Sequence, residues 1–195
     1  VTDLFAQTVL ELDLSPITYK DVPAGHWAEE YIMEATERGI TGGTGNGMFS
    51  PNRTVTRAML VVMLSRMHQN FDGNAVIDGA AAFPDVAETA WCADEISWAA
   101  DLGIITGYTN GNFGPNDPVT RQQLVTILYR TAGEPSVAGL ENPFTDVQEN
   151  AYYYKAVLWA VEQGITNGMS ATTFGPDLTC TRGQIVTFLW RYSNL

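Results

Sequence analysis

Anchored on YKDV (19–22), FPDV (83–86) and FTDV (144–147), the sequence repeats one unit three times with no gap inside any copy. From Asp21, Asp85 or Asp146, six residues lead to Trp27, Trp91 or Tyr152, and eighteen lead to Gly39, Gly103 or Gly164. Twenty-two lead to Gly43, Gly107 or Gly168, twenty-eight to Phe49, Phe113 or Phe174, and thirty to Pro51, Pro115 or Pro176. Thirty-six lead to Arg57, Arg121 or Arg182. So many matched positions exclude chance and fix the architecture as a repeat. A copy of about 50 residues buries too little apolar surface to be secure alone. The three are therefore expected to share a core and to unfold together.

Each copy reads as helix, loop, helix, which makes the chain mainly α. The first helix follows the aromatic, as in CADEISWAADL, where Ile96, Ala99 and Ala100 supply an apolar stripe. Gly39, Gly103 and Gly164 sit where a helix ends in a left-handed residue, and Ile40, Ile104 and Ile165 follow as the hydrophobic partner of that ending. A Gly-containing loop then runs through Phe and Pro to Thr56, Thr120 and Thr181, which are suited to N-caps. Gln123 and Gln184 complete a Thr-x-x-Gln capping box, and Met59 breaks it in copy one. The repeats are read as 19–69, 83–134 and 144–195, joined by Gly-, Pro- and Ala-rich connectors. Residues 1–18 are read as a leader or the tail of an upstream domain. The chain begins with Val and carries no signal peptide, so it is expected to be a mature form or an excised fragment.

The reading places Arg57, Arg121 and Arg182 at the first helical position, where the helix already carries partial positive charge. The chain has only ten Lys and Arg against 22 Asp and Glu, with net charge −12. Six of those ten are these arginines and Arg66, Arg130 and Arg191, each nine residues further on. Two readings fit. An arginine beside unsatisfied helix N–H groups forms an anion site, its fork holding a carboxylate in bidentate fashion. Alternatively each arginine bridges to an acidic neighbour, such as the repeated Asp, and only stabilises the fold. Arg66, Arg130 and Arg191 complement the dipole at the helix end and read as structural.

The acidic balance argues against nucleic acid as a partner. No run of about 18 apolar residues is present to span a membrane. Two histidines and two cysteines supply no metal site or cofactor site, and an EF-hand spacing is absent from YTNGNFGPND (108–117). Paired carboxylates such as Glu29–Glu30 and Asp94–Glu95 read as solvated helix faces, so no catalytic residues are assigned and the chain is not read as an enzyme. Trp27, Trp91 and Tyr152 could stack on a sugar but read first as packing, and Phe49, Phe113 and Phe174 as core. Cys92 and Cys180 permit one disulfide. The free form is expected, since buried free cysteines behave as small hydrophobes.

The F-x-D-V openings, Trp27 and Trp91, GIITGYTNGNFGP (103–115), GITNGMSATTFGP (164–176) and the three Thr-Arg helix starts resemble the S-layer homology domain in triplet form. The resemblance covers roughly residues 19–194. It implies a pseudo-threefold arrangement around a central helical bundle, with grooves between repeats. It further implies non-covalent attachment to the wall of a Gram-positive-type bacterium, hence an extracellular location. The implied partner is a secondary cell-wall polysaccharide bearing a pyruvate ketal on an N-acetylhexosamine, with an upstream cargo domain. Carried over from the family motif, the ligand-binding set is Arg57, Arg121 and Arg182, then Gly43, Gly107 and Gly168, then Asp21, Asp85 and Asp146. The alternative is a protein–protein or self-assembly module of a surface layer. The sequence departs from the family at Met59, Gln123 and Gln184, where Glu is usual. The family loop is best kept in copy two, Thr109–Asn112, so the grooves are expected to be unequal, with Arg121 serving the dominant one.

Overall fold

A computed structural model describes residues 17–72 and 83–195. Most of the proposed leader and of the first connector lies outside the described residues. Within them are six helices: α1 (Glu29–Glu37), α2 (Arg57–Asp72), α3 (Ala93–Asp101), α4 (Arg121–Thr131), α5 (Tyr154–Glu162) and α6 (Arg182–Ser193). Extended structure is confined to isolated bridges, so the fold is mainly α, with one pair of helices per repeat.

The first helix of each repeat ends as its glycine requires. Gly39, Gly103 and Gly164 have φ of 67°, 69° and 69°. The N–H of Ile40, Ile104 and Ile165 donates back to the carbonyl of Ala35, Ala99 and Ala160, each at 2.9 Å. These isoleucines are buried. At the start of the second helix, the Gln123 and Gln184 side chains accept from the N–H of Thr120 and Thr181 at 3.1 and 3.0 Å. In copy one Thr56 still caps Met59 N–H, but Met59 has no oxygen to reach back with.

The repeats dock head to tail in a closed cycle. The second helix of each packs on the first helix of the next, α2 on α3 and α4 on α5, and α6 of the last packs on α1. The strand-like residue before each helix joins a three-membered ring of peptide hydrogen bonds. Val119 N–H donates to Val55 O at 2.9 Å, Cys180 N–H to Val119 O at 2.9 Å, and Val55 N–H to Cys180 O at 3.1 Å. All three residues are fully buried. With no water at hand, each N–H and C=O there must find its partner in another copy.

The ring also accounts for Cys180, which occupies the position held by valine in the other copies. Cys180 and Cys92 are both free and buried, as expected from the sequence. Burial pushes the Cys180 thiol up to about 12, with Arg121 opposing, and raises the Cys92 thiol too. Both should therefore be silent to a thiol reagent in the folded protein and react only on unfolding. Cys180→Val should melt within about 3–6 °C of the wild type, since such hydrophobic exchanges usually cost under about 1.5 kcal/mol. Val119→Pro, which deletes one N–H of the ring, should melt far lower. Calorimetry should give a single transition for the wild type and Cys180→Val; separate transitions for the repeats would contradict a shared core.

Candidate ligand-binding groove

The helix-start arginines are buried and point into the next repeat. Arg57 Nε donates to Phe113 O at 2.8 Å, Arg121 Nε to Phe174 O at 2.9 Å, and Arg182 Nε to Phe49 O at 2.9 Å. Each guanidinium carbon lies over the ring of that same Phe, at 4.5, 4.7 and 4.4 Å. A second nitrogen reaches the loop that follows the first helix. Arg57 Nη2 donates to Thr106 O and Arg121 Nη2 to Thr166 Oγ1, while Arg182 Nη2 donates to Gly42 O. None of the three pairs with a carboxylate among the described residues, so the proposed bridge to the repeated Asp does not form.

Those aspartates hold the same peptides from the other side. Asp21 accepts from the N–H of Phe49 and Ser50, Asp85 from Phe113 and Gly114, and Asp146 from Phe174 and Gly175, all at 2.7–2.8 Å. Gly43, Gly107 and Gly168 allow the loop to lie against the opening aromatic of its own repeat. A Cβ would fall 2.9 Å from Tyr19 Cε1, 2.7 Å from Phe83 Cε1 and 2.5 Å from Phe144 Cε1 respectively. These two residue types therefore shape the loop through contacts within their repeat.

One sequence expectation is corrected by this geometry. The amides of the second-helix N-termini are not open to a ligand. Arg57 and Ala58 N–H donate to Asp117 O and Pro115 O, Arg121 and Gln122 to Leu178 O and Pro176 O, and Arg182 and Gly183 to Arg53 O and Pro51 O. Helix start and arginine thus both grip carbonyls of the neighbouring repeat, and those carbonyls offset the charge–dipole conflict.

Above Arg57 the copies enclose a groove of about 510 Å³. Copy one supplies Arg57, copy two the loop Thr106–Tyr108 and the α4 face carrying Gln123 and Arg130, and copy three Tyr152. Its lining contains two arginines and no carboxylate. Arg57 is only 5% exposed, and burial lowers its pKa against the pull of Tyr108 and Asp117, yet a guanidinium stays cationic. Tyr108 lies 4.8 Å from the Arg57 guanidinium and donates to Asp117 Oδ2 at 2.9 Å, which turns that carboxylate to the tyrosine. Arg130 Nη1 donates to Thr106 Oγ1 at 3.4 Å and lies 3.9 Å from Glu134.

The loop of copy two therefore faces Arg57, whereas Arg121 faces the loop of copy three, where Met169 stands in place of Tyr108. The helix-start aromatics, read first as packing, are exposed: Trp27 by 55%, Trp91 by 64% and Tyr152 by 63%. They lie one residue before the buried stripe of the first helix, seen in Ala28, Ile32 and Ala35. That offset was visible in the sequence. Arg130, which by sequence reads as a structural complement to the helix dipole, lines the groove, because Gln123, Ile127 and Arg130 share one helix face.

The family model for the S-layer homology domain matches residues 18–58, 82–125 and 143–186, more than half of the chain. The chain belongs to that family, which places it at the bacterial cell surface, in the wall or surface layer. It is 30% identical over 90% of its length to an endoglucanase of a Bacillus species. It is 29% identical over 73% of its length to a cellulosome-anchoring protein of Acetivibrio thermocellus, and 28% over 88% to an S-layer protein of Bacillus thuringiensis subsp. finitimus. The matched segments are 19%, 32% and 21% of those proteins, so the chain spans a third of their length or less. None of the described helices is long and apolar enough to cross a membrane.

The Asp clamp gives a pH dependence. Burial alone would raise the Asp21 and Asp85 carboxyls, but the N–H groups donated to them outweigh it and hold both below the ordinary value. Their stabilisation is complete above the unfolded value of about 3.9 and is lost as pH falls through the lower folded value. Melting temperature should therefore drop steeply below about pH 4. Asp21→Asn/Asp85→Asn should melt lower at neutral pH and show a shallower acid limb.

Proposed function

We propose that the chain is a wall-anchoring module that binds an anionic secondary cell-wall polysaccharide, with a pyruvylated N-acetylhexosamine as its recognised sugar, in the groove over Arg57. The observation that carries this is charge placement. In a chain of net charge −12, the groove gathers two of ten cations and no carboxylate. A free carboxylate is the simplest group to match Arg57 and Arg130 together, and the fork of either can take it bidentately.

The remaining lining suits a sugar. Tyr108 and Tyr152 offer ring faces, and Thr106 and Gln123 offer hydroxyl and amide groups. The volume lies within the range of about 300–1,000 Å³ typical of small-ligand pockets. Asp85 and Gly107 act on the ligand indirectly, by fixing the loop that carries Thr106 and Tyr108. The Arg121 and Arg182 positions keep the same grip on their loops with a different lining, and serve as secondary grooves. The relatives named as an endoglucanase and a cellulosome-anchoring protein are far longer than this chain, and attachment is the part proposed for this chain.

Isothermal titration with the acidic saccharide and its carboxamide tests the reading. Loss of a charge-assisted contact costs roughly 1.5–3 kcal/mol, so Arg130→Gln should weaken binding at least about tenfold. The carboxamide should bind at least as weakly to the wild type. Arg57→Lys, which keeps charge but loses the fork, should weaken binding while the protein still melts cooperatively. Equal affinity for acid and carboxamide would leave both arginines as structural and overturn the assignment.

A further inference from the structure

A second cavity, of about 360 Å³, lies towards the other end of the second helices from the ring. Met67 of α2, Thr131 of α4 and Tyr192 of α6 are equivalent positions of the three repeats and meet there, with Leu64 and Ala132 beside them. The lining is mostly apolar and carries no acidic side chain, and Leu195 on its rim is 60% exposed. Apolar surface of this kind is stabilised by a cover. The connector 133–143 shows how the chain leaves this end of the bundle. It starts at Gly133, next to Ala132 of the pocket wall. Glu134 N–H donates to Tyr129 O at 3.0 Å, the Tyr129 hydroxyl donates to Pro135 O at 2.8 Å, and Val137 packs against the core. Eleven residues thus carry the chain from the pocket to Phe144, the opening aromatic of copy three.

We infer that this pocket is the docking site of the chain's own leader, with Leu4 and Phe5 as the side chains that fill it. Residues 1–16 lie outside the described residues, and their placement follows from path, length and composition. Because α6 packs on α1 as α4 packs on α5, Tyr19 stands to α6 as Phe144 stands to α4. Counting back the same eleven residues from Tyr19 arrives at Thr8, opposite Asn194, the equivalent of Gly133. Asn194 lies between Ser193 and Leu195, both in the pocket wall. On this path Leu12 takes the place of Val137, apolar for apolar. The seven residues before Thr8, VTDLFAQ, then start at the edge of the pocket. Extended, they span up to about 23–25 Å, which is ample to cross a cavity of this size. The first connector has no such surplus, since only ten residues separate Asp72 from Phe83. The leader carries Asp3, Glu11 and Asp13 and no cation, and a lining free of carboxylates does not repel it. The chain therefore enters the module at the end of the bundle opposite the ring, and closes the pocket with its own segment.

Two readouts on the full chain test the docking: melting temperature, and the fluorescence of the neutral probe N-phenyl-1-naphthylamine, which brightens in an apolar pocket. Leu4→Asp/Phe5→Asp should lower the melting temperature by about 5 °C or more, because two large apolar side chains lose their burial. The same variant should switch on probe fluorescence that the wild type lacks. Ala132→Leu, which fills the pocket, should abolish that fluorescence and make the leader substitutions cost less in melting temperature, as a double-mutant cycle reads it. Leu4→Ser/Phe5→Ser carries the same two expectations without added charge, and serves where the carboxylates themselves disturb folding. A wild type that already binds the probe would overturn the docking, as would a leader variant that moves only one readout or neither. Fluorescence that survives Ala132→Leu would place the probe elsewhere and overturn it too. Wild-type fluorescence that fades as protein concentration rises would give the pocket to a second copy of the chain in place of the leader.

Discussion

Three peptide groups, from Val55, Val119 and Cys180, hold one another in a ring at the centre of the molecule. Each donates to one neighbour and accepts from the other, and none can be satisfied within its own repeat. This requirement sets the number of copies that pack together and their order. It also brings each following helix to the same place against the next repeat, which puts the arginine at its first position within reach of that repeat's Phe carbonyl. The groove over Arg57 exists because the ring closes.

The Phe peptide is the second fixed point. Its carbonyl is held by the arginine of the preceding repeat, and its N–H by the aspartate of its own. Its ring is buried beneath the guanidinium and against the opening aromatic, Phe83 in copy two, with centroids 5.4 Å apart. Arginine and aspartate thus cooperate through a peptide that both grip, without touching each other. This also explains how Arg57, a buried cation, persists with no carboxylate partner: two of its donors are met by carbonyls, its face by an aromatic ring, and its remaining side borders the groove.

Local features were legible in the sequence because their causes are local. The left-handed glycines, the isoleucines behind them and the Thr-x-x-Gln caps each depend on residues within a few positions, and all stand where the spacing put them. The helix-start arginines were recognised as conspicuous for the right reason, an apparent clash with the dipole. What relieves the clash lies 56 residues away for Arg57 and 133 for Arg182, beyond any window of periodicity. For the same reason the best-kept loop was credited to Arg121, its own copy's arginine, whereas packing gives it to Arg57. The exposure of Trp27, Trp91 and Tyr152 follows from their place beside the buried stripe, a local cause that the sequence also contains.

The groove over Arg57 draws that arginine from copy one, its loop and the helix face carrying Arg130 from copy two and its open aromatic from copy three. The copies are alike in sequence pattern, yet each plays a different part in this groove. A substitution in one copy therefore alters neighbouring grooves in different ways: a change at Gly107 reshapes the groove of Arg57, while a change at Arg121 acts on the loop of copy three. Duplication supplies three equivalent starting surfaces, but specialising one of them has to be written across all three copies at once. Divergence among such repeats is then correlated drift around a cycle, and swapping a single repeat between relatives would disturb recognition at sites that the swapped segment does not itself contain.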